Sequence, residues 1–214
     1  MLEIGCSGGI LLRRLRRLFP YSQIAGADII VKTLRKLSKD LKKDGVATPL
    51  LFFDLSKCPL PNNSYDVVIA LNVLEHIKDH KLAVQEVYRI LKPGGLFIFE
   101  VPYGENLFDA YDRQLRHYRR YSNMQILRLL EESGLKRVYF SHLGFFVYPL
   151  FWCIKKLCKQ SVAVELPIRQ SRLSKILIFV TSGLVMRVIF RVELMLGRLI
   201  SYPCGIRCVG VFEK

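Results

Sequence analysis

The sequence predicts an α/β fold, a doubly wound parallel sheet with helices on both faces and an apolar helical insertion before the last strand. Three observations predict it. Residues 1–143 alternate short apolar runs with amphipathic runs of helical period, the pattern of strand–helix–strand crossovers. A glycine-rich turn, Gly5-Cys6-Ser7-Gly8-Gly9, lies between the first apolar run and the first amphipathic run. Open α/β sheets bind ligands at such a turn, beyond the carboxyl end of a strand. Residues 144–200 then lose the alternation and read as two apolar helical stretches. With 214 residues, 51% hydrophobic and 24% charged, the chain can bury a sizeable core, which excludes disorder, collagen and coiled coil as whole-chain descriptions.

Each element has its own justification. Strands are predicted over residues 2–5, 23–28, 48–53, 65–71, 96–102 and 136–142, short apolar runs bounded by turn-forming residues. A helix over 9–18 places Leu11, Leu12, Leu15 and Leu18 on one face and turns Arg13, Arg14, Arg16 and Arg17 away. Residues 31–43 repeat this with Leu34, Leu37 and Leu41, and residues 79–91 with Leu82, Val84, Val87 and Leu91. Ser122 is a predicted N-cap for a helix running to Ser133 and closed by Gly134. Two apolar helices follow, over 145–159 and 173–200, joined by a polar link around Glu165-Leu166-Pro167. Residues 206–212 alternate again and predict a final strand. The expected organisation is a core at 1–143, an apolar insertion or lid at 144–200, and the closing strand of the core sheet at 201–214.

Charge and cysteines bound the partners and the compartment. Lys and Arg number 33 against 18 Asp and Glu, a net charge of +15 that favours anionic partners. Residues 144–214 hold 11 Lys and Arg but 3 Asp and Glu, so the last third is cationic with few acids. The basic residues are not interleaved with aromatics in the manner of a nucleic-acid module, and no specific nucleic-acid partner is expected. The six cysteines form no C-x-x-C pair and read as small buried hydrophobes in a reducing cytoplasm. The first residues show no basic segment followed by a long apolar run, so no secretory leader is expected. Glu75-His76 with His80 runs E-H-x-x-x-H rather than H-E-x-x-H, and no metal site is predicted.

The chemistry concentrates at strand ends. The turn fails the dinucleotide pattern G-x-G-x-x-G, because Ser7 and Ile10 stand where glycines are needed, and no Gly-Lys-Ser/Thr follows for a phosphate loop. Glu3, two residues before Gly5, fits D/E-x-G-x-G-x-G instead, a pattern found around S-adenosylmethionine (SAM). Asp28 ends the second strand, where a carboxylate can accept both hydroxyls of a ribose. Asp54, in Phe53-Asp54-Leu55 after the third strand, can accept from an adenine amino group. Asn72-Val73-Leu74-Glu75-His76 follows the fourth strand, and Leu91-Lys92-Pro93-Gly94-Gly95 precedes the fifth.

Together with Ser64-Tyr65-Asp66-Val67-Val68, these segments resemble the class I SAM-dependent methyltransferases, most closely their type 11 subgroup. The resemblance continues through Arg116-His117-Tyr118-Arg119-Arg120-Tyr121-Ser122 and the final strand. It implies a Rossmann-like sheet of seven strands, mostly parallel, with the last antiparallel. It implies SAM as cofactor, held by Glu3, Gly5, Cys6, Ser7 and Gly9 at the methionine and ribose end. Asp28 and Ile29 would hold the ribose, Asp54 and Leu55 the adenine, and Asn72 the pocket floor. His117, on the loop after the fifth strand where members of the family meet the acceptor, is the candidate base, ahead of Tyr103 and His76. Arg116, Arg119 and Arg120 read equally well as a solvated basic loop or as ligands of an anionic acceptor.

Two departures from the pattern bear on function. Ser7 replaces the middle glycine, which costs energy if its φ is positive. Only Met1 and Leu2 precede Glu3, where the family carries a helix and a longer strand, so a truncated or misassigned start is expected. The expected function is therefore methyl transfer to a small or lipid-linked acceptor. The alternative is a non-catalytic binding or scaffold protein of the same fold. The stretch 138–154 holds 17 uncharged residues but contains Gly144 and Pro149, and 176–186 holds 11, so a membrane span is not expected. Arg187, Arg191 and Arg198 fall within about 40° on a helical wheel. The second apolar helix is thus either a lid over the sheet or an interfacial helix on an anionic membrane face.

Overall fold

The computed structural model describes residues 1–160 and 183–214. Its strands are β1 (Leu2–Ile4), β2 (Ala25–Asp28), β3 (Leu50–Phe52), β4 (Tyr65–Leu71), β5 (Leu91–Pro102), β6 (Lys136–Leu143) and β7 (Arg207–Glu213). They form one sheet in the order β3-β2-β1-β4-β5-β7-β6. β1 is central and pairs in parallel with β2 and β4; β2 with β3 and β4 with β5 are parallel too. β7 runs the other way. Lys214 exchanges backbone hydrogen bonds with Gly94 and Gly95, near the start of β5, while Tyr103, just past its end, donates to Ile206. This is the seven-stranded mixed sheet that the resemblance implies.

The chain divides into two compact units. The first comprises Met1–Val101, Met124–Tyr139 and Gly210–Lys214; the second comprises Pro102–Asn123 and Phe140–Val209. In the first unit, β1 is buried at every residue, as a strand covered on both faces must be. Helix α1 (Ile10–Leu18) buries Leu12 and Leu15, and α2 (Val31–Lys43) buries Leu34, Leu37 and Leu41. These leucines form one cluster with Cys6, Ile24 and Ile69. The small residues of β2 allow that packing: a Cβ on Gly26 would lie 3.0 Å from Cys6 Sγ and 3.1 Å from Leu12 Cδ2. Helix α3 (His80–Ile90) is capped by Asp79, whose carboxylate accepts from the Leu82 amide at 3.1 Å. Phe97, Phe99 and Phe212 are fully buried; Phe97 stacks on Phe99 with ring centroids 5.7 Å apart, and Phe212 packs tilted against Phe99 at 5.9 Å.

In the second unit, α4 (Ala110–Gln114) is closed at its start by a reciprocal Asp109–Asp112 capping box. Helix α5 (Asn123–Glu131) begins directly after Ser122, at the boundary of the two units. Helices α6 (Tyr148–Gln160) and α7 (Leu184–Leu196) occupy the apolar stretches. Glu193 of α7 is buried and accepts the backbone N–H groups of Gly144 at 2.5 Å and Phe146 at 3.4 Å.

Several bounds differ from expectation for local reasons. β5 starts at Leu91 rather than residue 96: Leu91 already pairs with Tyr65, and the register slips before Val67 meets Leu96. Gly94, at φ 73°, absorbs that slip, so Gly94-Gly95 is a bulge inside a strand rather than a turn before it. Helix α6 starts at Tyr148, not 145, because the chain bends at Gly144 (φ 78°) and Glu193 takes the nearby amides. Helix α7 ends at Leu196, with Gly197 as its cap, so Arg198 lies beyond the helix and the three-arginine stripe is reduced to Arg187 and Arg191. The expected helical residues 173–182 and the Glu165-Leu166-Pro167 link lie outside the described residues. No helix among the described residues is long and apolar enough to cross a membrane.

Candidate functional site

The strand register places four sequence segments side by side in the first unit. Asp28 ends β2 opposite Phe52 of β3, so Asp28 and Asp54 lie beyond the carboxyl ends of adjacent strands. Ile4 lies opposite Ala27 on one side and Ala70 on the other, which sets Gly5 and Cys6 between Asp28 and Asn72. The predicted residues of β1, β2, β3 and β4 thus share one edge of the sheet.

The turn after β1 is held by β2. Gly5 and Cys6 donate their amides to the Ala27 carbonyl at 2.8 and 3.0 Å, and Gly9 closes the turn onto the Cys6 carbonyl at 2.7 Å. Gly5 and Gly9 both have φ 71°. A Cβ at Gly5 would lie 2.6 Å from Val73 Cγ2, and one at Gly9 would collide with Leu37 Cδ1, so both positions need glycine twice over. Ser7 also has positive φ, 41°, the condition under which a side chain there is costly. Ser7 and Gly8 are exposed, and a Cβ on Gly8 would meet nothing within 4 Å, so the outer lip of the turn is open.

Asp28 is the keystone of the turn. It is buried, with Oδ2 accepting the Ser7 amide and Oδ1 the Ile30 amide, each at 2.9 Å. The neighbouring Ile29 is 58% exposed and takes no part in the core. Asp54 Oδ1 accepts both the amide and the hydroxyl of Ser56, at 2.9 and 2.7 Å, and fixes the turn that buries Leu55. Asn72 adopts φ 55° and is tied to Glu100 through its amide (2.8 Å) and its side chain (3.2 Å). Glu100 is a contributor that sequence patterning did not identify; it acts by long-range contact rather than through a motif.

Glu3 is the most informative member. It is 6% exposed, and its Oε2 has no hydrogen-bond partner among the described residues. Burial, reinforced by the negative charge of Asp28, pushes its carboxyl up to about 7, against a smaller opposing pull from the Leu12 amide. The Cys6 thiol is pushed up to about 12 by burial and then by Glu3 and Asp28, which makes it inert filling rather than a nucleophile. Glu3 and Asp28 place two buried carboxyl groups at this strand edge, that of Glu3 with an unpartnered oxygen. The positive charge of SAM would suit such a setting, and the amides and small residues of the turn would suit its polar groups. The residues present therefore fit the cofactor.

His117 belongs to the second unit. Its Nδ1 lies 3.0 Å from Asp112 Oδ1, and its side chain is 10% exposed. Arg120 is not part of a solvated basic loop: it is buried, and its Nε donates to Asp112 Oδ2 at 2.8 Å. Arg116 is exposed at φ 59°, and Arg119 lies over the Tyr118 ring at 5.7 Å. The Tyr103 hydroxyl is raised by burial, and its ring packs edge-on against His142 at 4.7 Å. Asp112 escaped the sequence reading, although the D-x-x-D spacing of Asp109 and Asp112 is a legible helix-start signal.

Comparison with known proteins agrees with this geometry. The methyltransferase domain family matches residues 2–99. A protein of Mycolicibacterium smegmatis named "Probable S-adenosylmethionine-dependent methyltransferase" is 29% identical over 147 residues, covering 64% of this chain and 51% of that protein. The ubiquinone/menaquinone biosynthesis C-methyltransferase of Burkholderia vietnamiensis is 34% identical over 96 residues, covering 44% of this chain and 40% of its own. The chain thus spans about half the length of these curated relatives or less. Among solved structures, phosphoethanolamine N-methyltransferase 2 of Haemonchus contortus, in complex with SAM, superposes with a TM-score of 0.61 at 20% identity, over 100% of this chain and 47% of that one. Strand order, strand-end acids and the family match converge on one conclusion: residues 2–99 carry a methyltransferase domain, set in a sheet of seven strands.

Proposed function

We propose that the protein binds SAM at the carboxyl ends of β1–β4 and transfers its methyl group to a small or lipid-linked acceptor. The observation that carries this reading is Glu3, a buried carboxylate with an unpartnered oxygen beside Asp28, at the start of a turn that requires glycine at positions 5 and 9. In this reading Glu3, Gly5, Cys6, Ser7 and Gly9 face the methionine and ribose end, Asp28 and Ile29 the ribose, Asp54 and Leu55 the adenine, and Asn72 the floor. His117 takes a proton from the acceptor. Bound SAM supplies an already activated methyl, so the protein's work is mainly to place two reactants in line.

A lipid-linked acceptor is supported by the second unit. Helix α7 exposes Val188, Leu194 and Met195 around Arg187 and Arg191, and α6 exposes Leu150 and Trp152, with Phe146 exposed just before it. Such a surface suits the interface of an anionic membrane. The name of one similar protein, a ubiquinone/menaquinone biosynthesis C-methyltransferase, is compatible with that acceptor class.

Titration calorimetry with SAM and with its demethylated product tests the function. Saturable binding of both is expected, weakened at least tenfold by Glu3→Gln. A second reading, a non-catalytic protein of this fold, is favoured by the left-handed Ser7 in the turn; absence of binding by both nucleosides would establish it over the first.

A further inference from the structure

Arg13 reaches the glycine-rich turn from a helix face that the leucine spacing turns away from the core. Side chains on a helix lean toward its N-terminus. Arg13 follows Gly9, the N-cap of α1, by four residues, and its guanidinium folds back onto the turn. Nη1 donates to the Gly8 carbonyl at 2.9 Å and to the Gly9 carbonyl at 3.3 Å. Nε donates to Asp44 Oδ2 at 2.8 Å, and Asp44 is the residue that ends α2. A cation near the start of a helix opposes the helix dipole, and α1 has no acid in its first turn. Asp44 and the two carbonyls offset that cost. The Arg13 and Asp44 side chains are 30% and 48% exposed, so the pair adds little to global stability and its effect is local.

Packing does not hold this part of the turn. Gly8 is exposed, and the Gly8–Gly9 peptide joins two residues without side chains, so its plane turns easily when its polar groups are not held. A trans peptide points its C=O and its N–H in opposite directions. Both ends of this one are held: the Gly8 oxygen by Arg13, and the Gly9 N–H by the Cys6 carbonyl at 2.7 Å. Without Arg13, only the Cys6 bond would set the plane. Helix α2 thus acts on the turn twice, through Leu37 against Gly9 and through Asp44 behind Arg13.

We infer that Arg13 is a positioning residue of the cofactor turn: braced by Asp44, its guanidinium fixes the plane of the Gly8–Gly9 peptide and presents the open lip of the turn to SAM in one conformation. The inference rests on SAM binding at this turn, as proposed above. The effect is preorganisation, since a turn already in its bound conformation loses less entropy when the cofactor arrives. Charge alone acts the other way. SAM carries a sulfonium and an ammonium against one carboxylate, so deleting a neighbouring cation would by charge leave binding unchanged or strengthen it. Weaker binding therefore has to come through the turn, and Asp44 contributes to it only through Arg13.

Amide hydrogen exchange and SAM calorimetry on the full chain test the inference. In the SAM-free protein, Arg13→Gln should speed exchange of the Gly9 amide about tenfold or more while leaving Val68 and Ala70 of β4 unchanged; a merely stabilising side chain would move all three together. Arg13→Gln should weaken SAM binding about fivefold or more. Asp44→Asn should weaken it by a smaller factor and add nothing once Arg13 is already Gln. Arg14→Gln removes the same charge from the exposed side of α1 and should keep SAM affinity within about twofold. A Gly9 amide that exchanges no faster in Arg13→Gln, an unchanged SAM affinity, or an Asp44→Asn effect that persists in full without Arg13 overturns the inference. Should Arg13→Gln fail to fold, Asp44→Asn alone decides by the same two readouts. Failure of the wild type to bind SAM would instead defeat the function proposed above, while Gly9 exchange still reads whether Arg13 holds the turn.

Discussion

Glu3 sits in the central strand with one carboxylate oxygen unpartnered and Asp28 beside it. Its folded carboxyl is raised to about 7 from an ordinary 4.5. The folded state therefore holds this proton more tightly than the unfolded chain does, and stability is lost as pH rises from the unfolded value to the folded one. The loss is complete above about pH 7 and amounts to at most roughly 3 kcal/mol. Glu3→Gln should remove that slope. Urea unfolding of wild type and variant at successive pH values is expected to show the variant gaining on the wild type between about pH 4.5 and 7, while it binds SAM less well. Parallel stability curves would mean that Glu3 is not the strained carboxylate described here. Ser7 makes a separate case. A left-handed L-residue costs roughly 1–2 kcal/mol, and glycine returns about 0.5–1 kcal/mol of that as unfolded-state entropy. Ser7→Gly should raise the unfolding free energy by roughly 0.5–1 kcal/mol, read as a higher urea midpoint; a lowered midpoint would mean that the serine side chain makes a compensating contact.

At the scale of elements, the turn after α4 offers the same substitution in a different setting: the Arg116 amide donates to Arg113 O and the His117 amide to Asp112 O, each at 2.9 Å, the paired bonds of a Schellman turn. Arg116 is exposed at φ 59°, so Arg116→Gly loses no buried contact and should stabilise the chain by roughly 0.5–1 kcal/mol, read as a higher melting temperature. The bond between His117 and Asp112 should survive, because the turn's two hydrogen bonds are backbone to backbone. Long periodic elements were legible beforehand: α2 occupies residues 31–43 as the leucine spacing required, and β4 occupies 65–71. Elements without a period were not. Helix α4 has five residues, fewer than two turns, and its start signal lies in the reciprocal aspartates rather than in any apolar stripe. β5 hid its first five residues behind Lys92-Pro93-Gly94-Gly95, which has turn composition but pairs through a bulge. At the site, the acids and glycines of Glu3, Gly5 and Asp28 were legible because a strand end and a tight turn constrain residue type locally. The pairings Asn72–Glu100 and Arg120–Asp112 were not, since nothing in local sequence ties positions 28 and 8 residues apart into contact.

At the scale of the whole molecule, the net charge of +15 has a consequence that no single ion pair carries. Residues 144–214 hold 11 basic and 3 acidic side chains, and one of those acids, Glu193, is buried on backbone amides. The exposed side of α7 sets Arg187 and Arg191 between Val188, Leu194 and Met195, and Lys156 of α6 stands 4.1 Å over the Trp152 ring. Long basic side chains placed among exposed apolar ones can bury their stems while the charged heads stay at a polar boundary. Each basic residue near an anionic leaflet contributes about 1 kcal/mol, and this attraction fades beyond a Debye length of roughly 8 Å at physiological salt. The chain is therefore expected to float with vesicles containing phosphatidylserine and to remain behind with neutral phosphatidylcholine vesicles. High salt should release it, and the charge reversal Arg187→Glu with Arg191→Glu should weaken flotation severalfold while leaving SAM affinity unchanged. Equal flotation with neutral vesicles would assign the binding to apolar contact alone. No flotation with either would return α7 to the role of a lid, and the lipid-linked acceptor would lose its support in favour of a soluble one.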